Sequence, residues 1–249
     1  AGKNHASKER KVQMSQTLLI TGASRGIGAE IALQAAGAGF DICINYANNQ
    51  EQAEAVASQI RSAGVQAMIY QADMAKEAEI VAMFEAVDKE LGTLHGLINN
   101  AGITGKFCRV DELDHATAQR VMDVNIVGCM MTMREAVKRM STTHGGKGGV
   151  IINISSVAAR LGSPGEYVHY AASKGAVDAM TIGLAKEVAK EGIRVNAILP
   201  GIVDTDIHAN SGKPNRFTER GALMPMGRGG HPEEIANAVM WLLDDKNTF

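Results

Sequence analysis

Short apolar runs alternate with longer segments in which apolar positions recur three and four apart, and the alternation continues from residue 17 to residue 243. Each short run reads as a strand buried on both faces, and each longer one as an amphipathic helix. Strands are predicted at 17–22, 41–46, 66–71, 94–99, 150–154 and 194–199. Helices are predicted at 26–38, 50–62, 76–90, 114–140, 167–189 and 232–243. In the 76–90 segment Ile80, Val81, Phe84 and Val87 hold the helical spacing. Strands that alternate with helices of this length build βαβ units and a parallel sheet covered on both sides. Right-handed crossovers then give a doubly wound α/β sheet of the Rossmann type. No repeat or linker divides the chain, so a single domain over 14–249 is expected. The longest irregular stretch, about 204–230, is expected to be a functional lid.

Composition narrows the classes. The 249 residues carry 25 Lys+Arg against 27 Asp+Glu, a net charge of −2 that argues against a nucleic-acid binder. No stretch of 18 apolar residues occurs, so no membrane helix is expected. Cys43, Cys108 and Cys129 are too few and too far apart for a disulfide framework or a metal cluster, which points to reduced thiols and a cytoplasmic protein. The polar segment 1–13 lacks the apolar core of a signal peptide. It is expected to be a disordered tail or a foreign remnant, with Met14 as the native start.

Chemistry enters at the first strand-to-helix turn, Thr21-Gly-Ala-Ser-Arg-Gly-Ile-Gly28. Small residues there permit a tight turn, and the helix N-terminus offers free N–H groups to a pyrophosphate. A Gly-rich turn alone is a weak signal, but its place after a first strand and before a first helix strengthens it. Dinucleotide sites that prefer NAD usually have an acid about 20 residues on, bonding the ribose 2′-hydroxyl. The second strand ends instead in Ile44-Asn-Tyr-Ala-Asn-Asn-Gln50, with Glu51 only at the start of the next helix. That favours NADP over NAD, with Arg25 either the partner of a 2′-phosphate or a solvated surface charge.

Tyr170-Ala-Ala-Ser-Lys174 sets a phenol and an ammonium four residues apart, on one helical face. A neighbouring cation is expected to lower the phenol's pKa and make it a better proton donor or acceptor near neutrality. Ser156 follows the fifth strand, at the carboxyl edge where open α/β sheets bind ligands. Ser155 competes with it for that role. Among the neighbours, Tyr167 reads as a pocket wall and His169 as a surface or interface residue. Met130, Met131 and Met133 read as core or interface filler.

Together these motifs resemble the short-chain dehydrogenase/reductase family, in particular its 3-oxoacyl-carrier-protein reductases and glucose 1-dehydrogenases. Ala72-Asp73, Asn99-Asn-Ala-Gly102, Val124-Asn125, Ile154-Ser-Ser156 and Leu199-Pro-Gly201 complete the series in family order. The resemblance implies hydride transfer between NADP(H) and a carbonyl or secondary alcohol. Tyr170 would then be the general acid or base, Lys174 its pKa-lowering neighbour and a ligand of the nicotinamide ribose, and Ser156 the group that polarises the carbonyl. Asn125 would hold a proton-relay water. Asp73 is expected at the adenine, Asn99 beside the adenosine ribose, Val203 at the carboxamide, and Thr205 at the carboxamide or pyrophosphate. The cofactor contacts also take in Gly22, Ser24, Gly26, Ile27, Gly28, Asn45, Tyr46, Ala47, Met74, Ala101, Gly102, Pro200 and Gly201. A homotetramer is expected. A seventh strand beyond the last helix is also expected, from a longer native chain whose end is missing here, the alternative being a six-stranded sheet.

The substrate is less defined. Glu191, expected near the pocket rim, weighs against an acidic carrier partner, and Lys147 weighs for one. His208, Asn210 and Asn215 in the lid hint at a polar substrate. A 3-oxoacyl thioester and a sugar or polyol both stand. The rival class is a cofactor-binding sensor with little chemistry, which the survival of Ser156, Tyr170, Lys174 and Asn125 disfavours.

Overall fold

The computed structural model describes residues 16–207 and 211–247; the expected tail, Met14, His208 and Asn210 lie outside them. Among the described residues the sheet has six parallel strands: β1 (Thr17–Ile20), β2 (Asp41–Tyr46), β3 (Ala67–Gln71), β4 (Leu94–Asn99), β5 (Gly149–Ile154) and β6 (Ile193–Ile198). Their spatial order, β3-β2-β1-β4-β5-β6, is that of a doubly wound Rossmann-type sheet. Alternation along each strand feeds two cores. Leu18, Ile20, Ile42, Ile44, Ile98 and Ile152 pack against α1 (Gly26–Gly37), α2 (Gln50–Ser62) and α9 (Pro232–Leu243). Leu19, Cys43, Leu97 and Ile151 face α3 (Glu77–Glu90), α5 (Cys129–Met140) and α7 (Val168–Val188).

Helix starts follow their caps. Asn49 accepts from the Gln52 N–H at 3.0 Å to open α2, and Pro232 with the Glu234–His231 bond opens α9. Asp114 accepts from the Thr117 N–H at 2.7 Å to open α4 (His115–Met122).

Three elements differ from the sequence reading. The predicted helix 114–140 is continuous in path but changes gauge, passing from α4 through one π-helical segment, Asp123–Gly128, into α5. A short helix α6 (Ala158–Leu161) lies in what reads as loop. The stretch 204–230 contains helix α8 (Arg216–Gly221), and a bridge between Val203 and Gly230 pins its two ends together. Of the methionines, Met133 is buried, Met131 packs against the second core and Met130 is exposed.

Candidate active site

The strand order reverses between β1 and β4, and two adjoining cavities open at the carboxyl ends there. The larger, ≈ 700 Å³, is a groove lined by Gly22, Ser24, Arg25, Gly26, Ile27, Asn45, Tyr46, Ala47, Asp73, Met74, Ala101 and Gly102. The smaller, ≈ 370 Å³, is lined by Ser156, Tyr167, Tyr170, Lys174, Pro200, Gly201, Val203 and residues of the 204–230 stretch. Ile27, Asn100, Gly102, Thr104, Thr205 and Ile207 line both. A ligand lying in the groove can therefore reach the side chains of the smaller cavity.

Backbone builds the groove. Gly22 and Gly26 take left-handed φ values of 63° and 56°. A Cβ on Gly28 would stand 2.7 Å from the Gly22 carbonyl oxygen and 2.5 Å from Asn100 Nδ2. The start of α1 has no side-chain cap and no acid in its first turn, so its N–H groups and dipole are left for an anion. Asn45 fixes the turn from below, accepting from the Gly22 N–H at 3.1 Å and donating to the Ala72 carbonyl at 3.0 Å. These features fit a dinucleotide, with its pyrophosphate at the glycine turn. Arg25 stands at the rim, half exposed, 3.6 Å from Asp206. No acid lines the end of β2; Ala47, Asn48, Asn49 and Gln52 do, and Gln52 Oε1 is buried there without a partner.

Asp73 lines the groove with its carboxylate already engaged. Arg120 grips it with two bonds of 3.0 Å, and the Ala75 N–H adds a third. Burial raises the Asp73 pKa, but these bonds outweigh it and hold the carboxyl below its usual value. Asn99 departs from its expected place. Its side chain is buried away from the groove, donating to Asn153 Oδ1 at 2.9 Å and accepting from the Thr132 hydroxyl at 2.7 Å. The residue that faces the groove is its neighbour Asn100, whose amide bonds the Thr21 and Gly22 carbonyls.

In the smaller cavity the paired serines separate. Ser155 donates to the Lys174 carbonyl at 3.2 Å, a packing bond between β5 and α7. Ser156 accepts from the Ala158 N–H at 3.1 Å and hydrogen-bonds the Tyr170 phenol. Lys174, 5% exposed, donates to the Ile154 carbonyl at 2.7 Å and lies 5.8 Å from the centre of the Tyr170 ring. Asn125 sits in the π-helical segment with its amide tied to the Ile103 backbone and the Ser173 hydroxyl. It approaches Lys174 across Gly102, where an added Cβ would stand 3.4 Å from both side chains.

The expected effect of Lys174 on Tyr170 is corrected here. Burial is the larger influence and pushes the phenol up to about 12, against the Ser156 bond that favours its ionised form. Burial likewise brings the Lys174 ammonium down to about 8, against the pull of Cys129 and Asp178. At neutral pH Tyr170 therefore keeps its proton, which is the form that can donate one.

Two further expectations change. His169 is buried, not a surface residue, and its Nε2 lies 2.9 Å from the Thr104 carbonyl. Glu191 receives the Ser141 hydroxyl near the amino ends of β5 and β6, and Lys147 lies two residues before β5. Both lie at the opposite edge of the sheet from the cavities, so neither bears on the substrate. Tyr167 is a wall of the smaller cavity as expected, packed edge-on against Phe107 at 5.1 Å. Glu166, Arg216 and Arg220 also line it, and no motif in the sequence marks them.

The comparisons agree with this geometry. Residues 16–216 match the family model described as short chain dehydrogenase. The chain belongs to the short-chain dehydrogenase/reductase family, and is an oxidoreductase of that class. It is 48% identical over 231 residues to the uncharacterized oxidoreductase YgfF of Escherichia coli (strain K12), covering 93% of this chain and 94% of that protein. It is 38% identical over 243 residues to the 3-oxoacyl-[acyl-carrier-protein] reductase FabG of Staphylococcus aureus (strain Mu50), covering 96% and 94%. With FabG of Staphylococcus epidermidis (strain ATCC 12228) the identity is 35% over 236 residues, covering 95% and 94%. No helix of the described residues is long and apolar enough to cross a membrane.

Proposed function

We propose that residues 14–249 act as one NADP(H)-dependent carbonyl reductase domain, reversible toward the secondary alcohol, with the 204–230 stretch as substrate lid. The observation that carries this is the Ser156–Tyr170–Lys174 set facing a cavity that joins the nucleotide groove. The nicotinamide ring, when bound, supplies or receives the hydride. Ser156 holds the carbonyl oxygen, and Tyr170 donates its proton to that oxygen as negative charge develops. Lys174 offsets the negative charge left on the phenol oxygen and bonds the nicotinamide ribose, and Asn125 anchors the segment that leads protons to Lys174. Gly22, Gly26 and Gly28 let the pyrophosphate approach the α1 N-terminus. Asp73 and Asn100 flank the adenosine end. The choice of NADP rests on the acid-free end of β2 and on Arg25 at the rim.

A homotetramer follows on the same reading, supported by Val127, Met130 and Ile182, apolar and exposed on or beside α5 and α7. A cytoplasmic site is supported by the three free cysteines. The test is NADPH oxidation at 340 nm, with NADH in parallel, against ketones, 3-oxoacyl thioesters and sugar-derived carbonyls. Turnover that prefers NADPH supports the reading. Tight NADPH binding with no turnover across the panel would favour the sensor instead.

A further inference from the structure

One wall of the smaller cavity is ionic. Glu166, 15% exposed, ion-pairs with Arg216 at 2.6 Å and with Arg220. Arg216, 13% exposed, also lies over the Tyr167 ring at 5.3 Å, and Tyr167 stands 6.5 Å from Tyr170, centre to centre. The guanidinium is thus one aromatic ring beyond the phenol. Glu166 is the one acid among the described residues that line this cavity, against three cations, Lys174, Arg216 and Arg220. Its carboxyl is held below the usual range by the two arginines, so it is charged and cancels one of them.

The pair also keeps donors in reserve. Each guanidinium has five N–H donors. Glu166 takes one from each arginine, and Arg216 Nε is buried without an acceptor. A second carboxylate-like group in the cavity would meet the surplus charge and the terminal N–H groups that Glu166 leaves on the two arginines. A planar guanidinium suits such a group better than an ammonium does.

We infer that the substrate is a carbonyl compound bearing an anionic group, a carboxylate or a phosphate, received by Arg216 and Arg220. This rests on the reductase reading above and narrows its substrate class.

The experiment compares paired probes in NADPH-dependent reduction: acetoacetate with methyl acetoacetate, levulinate with methyl levulinate, and dihydroxyacetone phosphate with dihydroxyacetone. The anionic member of at least one pair is expected to have a kcat/KM at least about tenfold above its neutral partner, as a charge-assisted contact gives. The pair that responds separates carboxylate from phosphate. In Arg216→Met that ratio falls to near one, and Arg216→Lys restores part of it. If the arginines only latch the lid, Arg216→Met lowers both members of a pair alike, and the inference falls. Should Arg216→Met fail to fold, the more exposed Arg220→Met carries the same comparison. Calorimetric titration of the NADP-loaded protein with glutarate and with dimethyl glutarate gives a readout independent of turnover. Glutarate binding that Arg216→Met abolishes, with no probe reduced, would uphold the subsite and overturn the reductase reading. Reduction of neutral probes with no anionic preference would do the reverse. Neither preference nor glutarate binding would overturn the inference.

Discussion

The two cavities share six residues yet are built by opposite means. The nucleotide groove is made of backbone: glycines with left-handed φ, an uncapped helix start and amide side chains spent on carbonyls. The neighbouring cavity is made of side chains, and its far wall comes from a short helix, α8, latched by ions to Glu166, 50 residues earlier in the chain. Backbone sites tolerate little change in the residues that form them, whereas side-chain sites can be rewritten one residue at a time. The motif residues that the family has in common line the groove and the Ser156–Tyr170–Lys174 side of the other cavity, whereas its α8 wall carries no motif residue.

The largest effect should come from filling the groove's backbone. Gly28→Val meets the Gly22 carbonyl and Asn100 at once. It is expected to abolish NADPH binding and lower Tm by roughly 5–10 °C through overpacking; a melt and a fluorescence titration check both. Retained binding would show the turn to be more pliant than its geometry.

Next comes Tyr170→Phe, which leaves the groove untouched. It should cut kcat by at least about 10²-fold, the lower range for general acid catalysis, while NADPH binding stays near native. Unchanged turnover would remove Tyr170 from the chemistry.

The lysine behind it links the site to stability. Lys174 titrates near 8 in the folded protein, below its unfolded value of about 10.4. Between those values the unfolded chain binds the extra proton, so this group's contribution to stability rises with pH across the window. Below pH 8 the fold bears the full cost of the buried charge. The native protein should gain roughly 2–3 kcal/mol relative to Lys174→Met between pH 8 and pH 10, at about 1.4 kcal/mol per unit. Urea unfolding of both proteins across that range measures the difference. Parallel curves would mean that Lys174 stays charged throughout.

Arg25→Ala probes the rim where the groove becomes selective. It should weaken NADPH roughly ten- to a hundredfold more than NADH, as loss of a charge-assisted contact implies. Equal loss for both cofactors would remove Arg25 as the reader of the 2′-phosphate. The smallest effect belongs to its partner. Asp206→Asn frees Arg25 from an exposed ion pair of at most about 1 kcal/mol, so NADPH should tighten by no more than about fivefold.

Legibility in the sequence followed the same division. β2, α2, β4 and α9 begin and end where the hydrophobic pattern puts them, because turn residues and caps such as Asn49 and Pro232 mark their limits. The glycine turn and the Tyr170–Lys174 spacing were legible because each depends on residues close together in the chain. Asn99 misled because successive residues at a strand end face opposite ways, and it is Asn100 that turns to the groove. His169 looked like surface because nothing local reveals that Thr104, 65 residues away, covers it. The depressed phenol was expected from helical spacing alone, and burial, which spacing does not report, reversed it. Glu166, Arg216 and Arg220 left no trace for the same reason: their meeting is a property of tertiary structure.

The π-helical segment at Asp123–Gly128 can be regarded as a one-residue insertion in an otherwise regular rod. Deleting a residue within it would restore α-helical winding and leave α4 and α5 on nearly their present faces, because the wide turn already absorbs the extra residue. The loss would fall inside the segment: Gly128, whose added Cβ would fall 2.1 Å from the Met74 carbonyl oxygen, and Asn125, bonded to Ile103 and Ser173, could not both keep their places. Length in this stretch is therefore as constrained as identity. A homologue shorter here by one residue would have to rebuild the cofactor side or the proton side of its site.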